Sequence, residues 1–148
     1  MKTIIIKLLL LIPLVGLSQT DLALSKPYTK ALELQNGIRS WYNAPPLILD
    51  PKLELEAQMW AEFMAKNDRF ESSSYRINQG ESIYWTLLSN NIADPYYDAT
   101  IGWILDVTKE NQSPFLQMIY PRSNAVGFGK AESDKFLYIV AVYDKIYQ

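Results

Sequence analysis

Apolar residues recur every three or four positions in two early stretches of the chain, a period that predicts amphipathic helices. Ala31, Leu34, Ile38 and Trp41 share one face of a helix expected over residues 27–43. Ala44-Pro45-Pro46 ends it, because a residue before proline avoids the α region. Leu47-Ile48-Leu49 follows as an extended link. Asp50 can then cap free N–H groups and Pro51 suits a first helical position. Leu53, Ala57, Trp60, Ala61 and Met64 fall on one face of this second helix, which should end near Asn67. Residues 68–80, with Ser72-Ser73-Ser74, read as a loop. Ile83, Trp85 and Leu87 alternate as in a short strand. Asp94-Pro95 repeats the cap-plus-proline signal, and Tyr97, Ile101, Ile104, Leu105 and Thr108 make a third helix.

The last third changes period. Residues 115–120, 125–131 and 136–143 are three short β-like runs, joined by segments 121–124 and 132–135 of hairpin length. The run "FLYIVAVY" (136–143) is apolar on both faces and is expected at the centre of the sheet. Helices first and antiparallel strands later indicate an α+β fold, with helices covering a small antiparallel sheet on both sides.

The chain has 148 residues, enough for one real core. With 49% apolar and 20% charged residues it should pack as a globule. The start, "MKTIIIKLLLLIPLVGLSQT", has a positive Lys2, an apolar stretch and a small-x-small step at Gly16-Leu17-Ser18. It reads as a secretory signal peptide over residues 1–18, with a linker at 19–26 and the domain at 27–148. A membrane anchor is disfavoured, since the run falls short of the ~20 residues a bilayer needs and Lys7 interrupts it. No later segment is apolar enough to span a membrane. Secretion, or a periplasmic location in a bacterium, is the expected outcome.

Removing Lys2 and Lys7 with the leader leaves 12 basic against 16 acidic residues, a net charge of −4. No basic stripe exists, so nucleic acid is not an expected partner. The absence of cysteine means the domain must hold together through its core alone. The absence of histidine excludes Ser-His and Cys-His triads, imidazole-based zinc sites and imidazole proton shuttles.

Several segments together resemble the CAP superfamily, also called SCP or antigen-5/pathogenesis-related-1 domains. "LELQNGIRSWYNAPPLILDPKLELEAQMWAEFMA" (32–65) is similar to that family's "HNxxR" helix, its "PPL…DP" link and its "AQxWA" helix. "GESIYW" (80–85) looks like "GENI/L", and "GWILD" (102–106) like "WxxE". "SPFLQMIY" and "AVGFGKA" resemble "HFTQ-V-V-W … VGCGxA", and "FLYIVAVYD" resembles the closing strand. The resemblance covers residues 28–144 in order and implies an α-β-α sandwich. It also implies a cleft where two His and two acidic residues can bind a divalent metal, often zinc. Carried over by position, the first His falls at Glu71, the two acids at Glu81 and Asp106, and the second His at Pro114. Proline offers no lone pair to a metal. Gln35 stands where the first helix usually has His. By this resemblance residues 115–120 form the strand beside the cleft.

If Glu71, Glu81 and Asp106 converge, they repel unless one holds a proton or a hard cation such as Ca²⁺ or Mg²⁺ relieves them. Otherwise Glu71 faces water while Glu81 and Asp106 bond to nearby backbone. Zinc is disfavoured without imidazole or thiolate. Gln117, inside an apolar run, needs hydrogen-bond partners and reads as structural. Tyr75, Tyr84, Trp85, Tyr96 and Tyr97 form an aromatic-rich stretch, which reads either as core and rim or as a groove for a sterol or fatty chain. Gly127 and Gly129 should permit close backbone packing. Asn111-Gln112-Ser113 fits a glycosylation sequon. The expectation is a non-catalytic binding module for a protein or lipid ligand, with no catalytic residue, no metal and no cofactor. A hydrolase using Glu81 and Asp106 is the alternative.

Overall fold

The computed structural model of the protein describes residues 26–106 and 113–148. The leader and most of the linker, the sequon asparagine Asn111 and Thr108 of the third helix lie outside the described residues. Helix α1 (Thr29–Trp41) leads through strand β1 (Ile48–Leu49) into α2 (Pro51–Asn67). Strand β2 (Gly80–Leu87) is followed by a 3-10 turn, then α3 (Pro95–Leu105), α4 (Ser113–Ile119), β3 (Ala125–Glu132) and β4 (Phe136–Tyr143).

Helix α2 starts where the sequence places it. The Asp50 carboxylate accepts from the Lys52 and Leu53 amides at 2.8 and 3.1 Å, with Pro51 in the first turn. All five residues expected on its inner face are buried. The Asp94 side chain likewise accepts from the Tyr97 amide at the start of α3.

The sheet is mixed, in the order β1-β3-β4-β2. β1 runs parallel to β3, pairing Ile48 with Ala125, and the other pairings are antiparallel. β4 is interior and nearly all buried, as its two-sided apolar pattern predicts. Leu53, Ala57, Trp60, Ala61 and Met64 of α2 pack on Tyr138, Val140 and Val142 of one face. On the other face, Ala31 of α1 and Tyr96, Ala99 and Trp103 of α3 pack with Leu137, Ile139, Ala141 and Tyr143. The result is a three-layer α-β-α sandwich. Helix and sheet touch most closely at β3. A Cβ on Gly127 would stand 2.0 Å from the Glu54 amide nitrogen, and one on Gly129 would stand 2.3 Å from that of Gln58.

Three expectations are corrected. Residues 115–120 are not a strand: they lie mostly in α4, and segment 121–124 joins a helix to β3 rather than closing a hairpin. Pro114 sits in the first turn, where a missing N–H costs nothing, and a short apolar run fits either element. In α1, Trp41 is 81% exposed, while Gln35 and Arg39 are fully buried, so two polar residues occupy the inner face. In α3, Tyr97 and Leu105 are exposed and Tyr96, Ala99, Thr100 and Trp103 are buried. That helix is apolar around most of its circumference, so periodicity alone does not choose its inner side.

Candidate functional site

The cleft assembles at the start of β2, where that strand meets α4. A Cβ on Gly80 would lie 2.0 Å from the Gln117 side chain, so glycine lets β2 begin directly against α4. Glu81 follows on β2, Asp106 caps the end of α3, and Pro114 opens α4. Glu71 arrives from the loop after α2, whose course is fixed by the Trp60 indole N–H donating to the Glu71 carbonyl at 3.0 Å. Glu71, Glu81, Asp106 and Pro114 all line one cavity of about 340 Å³, with Phe70 and Ile83 in its walls. Gln117 does not reach it. It lines a neighbouring cavity of about 220 Å³ with Ser73, Arg76 and Tyr147, and Glu81 stands between the two.

The carboxylates share a cavity without acting as a cluster. Glu71 pairs with Arg69 at 2.8 Å on the exposed side. The Glu81 side chain is 8% exposed and both its oxygens accept hydrogen bonds. Oε1 accepts from the Ser73 amide at 2.9 Å, and Oε2 accepts from Ser73 Oγ at 2.8 Å and Arg76 Nε at 2.7 Å. Arg76, its side chain 3% exposed, also pairs with Glu56 of α2 at 3.0 Å. Asp106 is exposed, and its backbone N–H donates to Gly102 at 2.9 Å.

Gln117 serves the scaffold. Its Nε2 donates to the Lys145 carbonyl at 2.8 Å and to Ser123 Oγ at 3.3 Å, and its Oε1 accepts from the Tyr147 amide at 2.8 Å. It thereby fastens the C-terminal tail to α4. Gln35 faces inward, accepting from the Tyr143 hydroxyl at 3.0 Å and reaching Thr100 Oγ1 at 3.5 Å. Burial pushes the Tyr143 phenol well above its usual range.

These residues do not fit zinc. Pro114 offers no lone pair, Glu71 stands where the family has its other imidazole, and the Glu81 carboxylate is bonded to Ser73 and Arg76. Among the described residues no three His, Cys, Asp or Glu side chains are grouped to hold a metal ion. The aromatic stretch divides between the faces of the sheet. Tyr96 is buried, and the half-buried Tyr84 donates to Asp98 at 2.8 Å. Trp85 lies half-exposed between Phe70 and Phe136, with ring centroids 6.3 and 5.1 Å away.

The residues that sequence reasoning passes over are Ser73, Arg76 and Glu56. Their only trace in the sequence is one basic residue in a serine-rich loop that carries no other charge between Glu71 and Glu81. Its partners lie on other elements, so no spacing rule points to them.

No curated protein sequence matches the chain significantly. Among solved structures, the fold is similar to that of BmVAL-1, at 18% identity over 90% of this chain and 81% of that one, with a TM-score of 0.67. It is also similar to NaASP2 with Zn²⁺, at 19% identity over 88% and 82% and a TM-score of 0.62. A third likeness is to an outer surface protein from Borrelia burgdorferi, at 12% identity over 83% and 95% and a TM-score of 0.59. At such identities the likeness is one of fold. The family model described as CAP, the cysteine-rich secretory protein family, matches residues 32–143, and the chain belongs to that family.

Proposed function

We propose that this CAP domain is an exported recognition module that binds a protein or lipid partner and does not transform it. One observation carries the reading: the central carboxylate of the cleft, Glu81, is a structural acceptor. Its Oε2 takes bonds from a guanidinium and a hydroxyl, and its Oε1 takes one from a backbone amide. A general base needs a free oxygen aimed at substrate, and a nucleophile needs an adjacent base. Export rests on the leader-like residues 1–18, with residues 27–148 as the mature domain. The family's description as secretory supports the same reading. The half-exposed ring of Trp85, beside Phe70 at the cleft wall, offers an apolar margin for a lipid chain or a partner's side chain.

One observation favours a hydrolase instead: Glu81 and Asp106 line the same cavity. Ester, peptide and glycoside substrates, tested with Glu81→Gln and Asp106→Asn as controls, separate the two readings. Turnover lost in either variant establishes the enzyme. Mass spectrometry of lipid co-purifying with the secreted protein tests the lipid branch of recognition.

A further inference from the structure

We propose that Arg76 is a built-in cation seated beside this cleft, in an all-oxygen cage that it closes to calcium and other hard divalent ions. This deepens the recognition reading and rests on it, because the cage holds Glu81, the carboxylate whose structural role carries that reading.

A guanidinium has five N–H donors, and each of Arg76's has an acceptor. Nε donates to Glu81 Oε2 at 2.7 Å. Nη1 donates to Glu56 Oε2 at 3.0 Å and Gln79 Oε1 at 3.4 Å. Nη2 donates to the Glu56 carbonyl and to the Tyr75 hydroxyl, both at 3.3 Å. The side chain is 3% exposed and that of Glu81 is 8% exposed, so water does little of the neutralising. Two carboxylates, an amide carbonyl, a main-chain carbonyl and a phenol therefore converge on one buried positive charge.

Those oxygens are the ligand types that calcium takes, in a geometry it tolerates loosely. They come from α2, from the loop at 75–79 and from β2, so the cation in their midst joins three parts of the chain. Arginine holds the place because its planar fork reaches both carboxylates at once, which the single ammonium of lysine cannot do. A divalent ion can enter only by expelling a fully bonded guanidinium. Removing the side chain leaves Glu56 and Glu81 facing a vacated polar space with uncompensated charge, and that space should then accept a hard cation.

The test compares wild type, Arg76→Ala and Arg76→Lys by thermal unfolding in 10 mM CaCl₂ against NaCl of equal ionic strength. Arg76→Ala should gain about 3–6 °C in midpoint, as expected for a site of roughly millimolar affinity. Wild type and Arg76→Lys should not move, and adding Glu81→Gln to Arg76→Ala should abolish the gain. If Arg76→Ala is unfolded without a cation, calcium must restore its far-ultraviolet circular dichroism. A folded Arg76→Ala that ignores calcium, an unfolded one that calcium does not rescue, or a wild-type rise removed by Glu81→Gln each overturns the proposal. No cleft ligand enters the measurement, so its failure is distinct from discovery of turnover, which would sink the recognition reading instead.

Discussion

Arg39 Nη2 donates to the carbonyl of Ser123 at 2.7 Å, tying the end of α1 to the turn before β3. The same guanidinium donates to the carbonyls of Pro45, Met118 and Tyr120 at 2.8, 2.7 and 3.0 Å. A fully buried charge is thus solvated by four main-chain oxygens, and burial lowers its pKa from the usual arginine value. Arg39→Met removes the donors and leaves buried carbonyls unpaired, so urea unfolding should show a loss of about 3–5 kcal/mol. Arg39→Lys should recover only part, because three donors on one nitrogen cannot reach acceptors spread across both edges of the fork.

The two glycines under α2 predict opposite behaviour from a glycine within α1. Gly127→Ala places a methyl 2.0 Å from the backbone of α2, which cannot rotate away, and should cost about 1–3 kcal/mol or more. Gly37, exposed within α1, would meet nothing within 4 Å. Gly37→Ala should stabilise by about 0.5–1 kcal/mol through helix propensity and a less flexible unfolded chain. Calorimetry of the pair reads both signs in one background.

Zinc at micromolar concentration should leave the unfolding midpoint of the wild-type protein unmoved. Pro114 supplies no ligand, no imidazole stands at Glu71, and Ser73 and Arg76 occupy Glu81. A midpoint rising with zinc would mean that the cleft rearranges around the ion and would overturn the account of the lost site.

Alkaline pH should weaken the fold in a defined window. Burial and the hydrogen bond to Asp98 push the Tyr84 phenol up to about 12, and burial with the nearby Glu54 charge pushes Tyr96 up to about 12. An unfolded tyrosine titrates near pH 10. The folded chain therefore keeps protons that the unfolded chain releases, so this stability is complete below pH 10 and declines as pH rises toward 12. Absorbance at 295 nm should show late-ionising tyrosines, and Tyr84→Phe should flatten the dependence of the midpoint on pH.

Where local chemistry decides, the sequence is a reliable guide. Asp50-Pro51 and Asp94-Pro95 mark helix starts because capping involves residues two or three apart. "FLYIVAVY" marks the central strand because burial on both faces removes alternation. The "QN…R" pattern in α1 is legible as a likeness, but its meaning is not. Gln35, Asn36 and Arg39 all bond inward, Asn36 gripping the Leu47 backbone through both its amide atoms. A buried polar residue carries no periodic signal that separates it from an exposed one, so periodicity places Trp41 inside in its stead. For the cleft, position alone puts Glu71, Glu81, Asp106 and Pro114 beside one cavity. What governs those groups, Arg76 and Ser73, depends on contacts between a loop, a helix and a strand edge that no spacing encodes.

The strand order also separates a pairing that is local in sequence from one that is distant. β3 and β4 meet across a turn at Ser133, Asp134 and Lys135, so their hairpin can close early. β2 reaches the far side of β4 only after α3 and α4 have been brought round, a slow long-range closure. Until then "FLYIVAVY", uncharged and free of proline, presents an unpaired border to neighbouring chains. Refolding yield should therefore fall with protein concentration, and the native β2 is this domain's own guard against self-association.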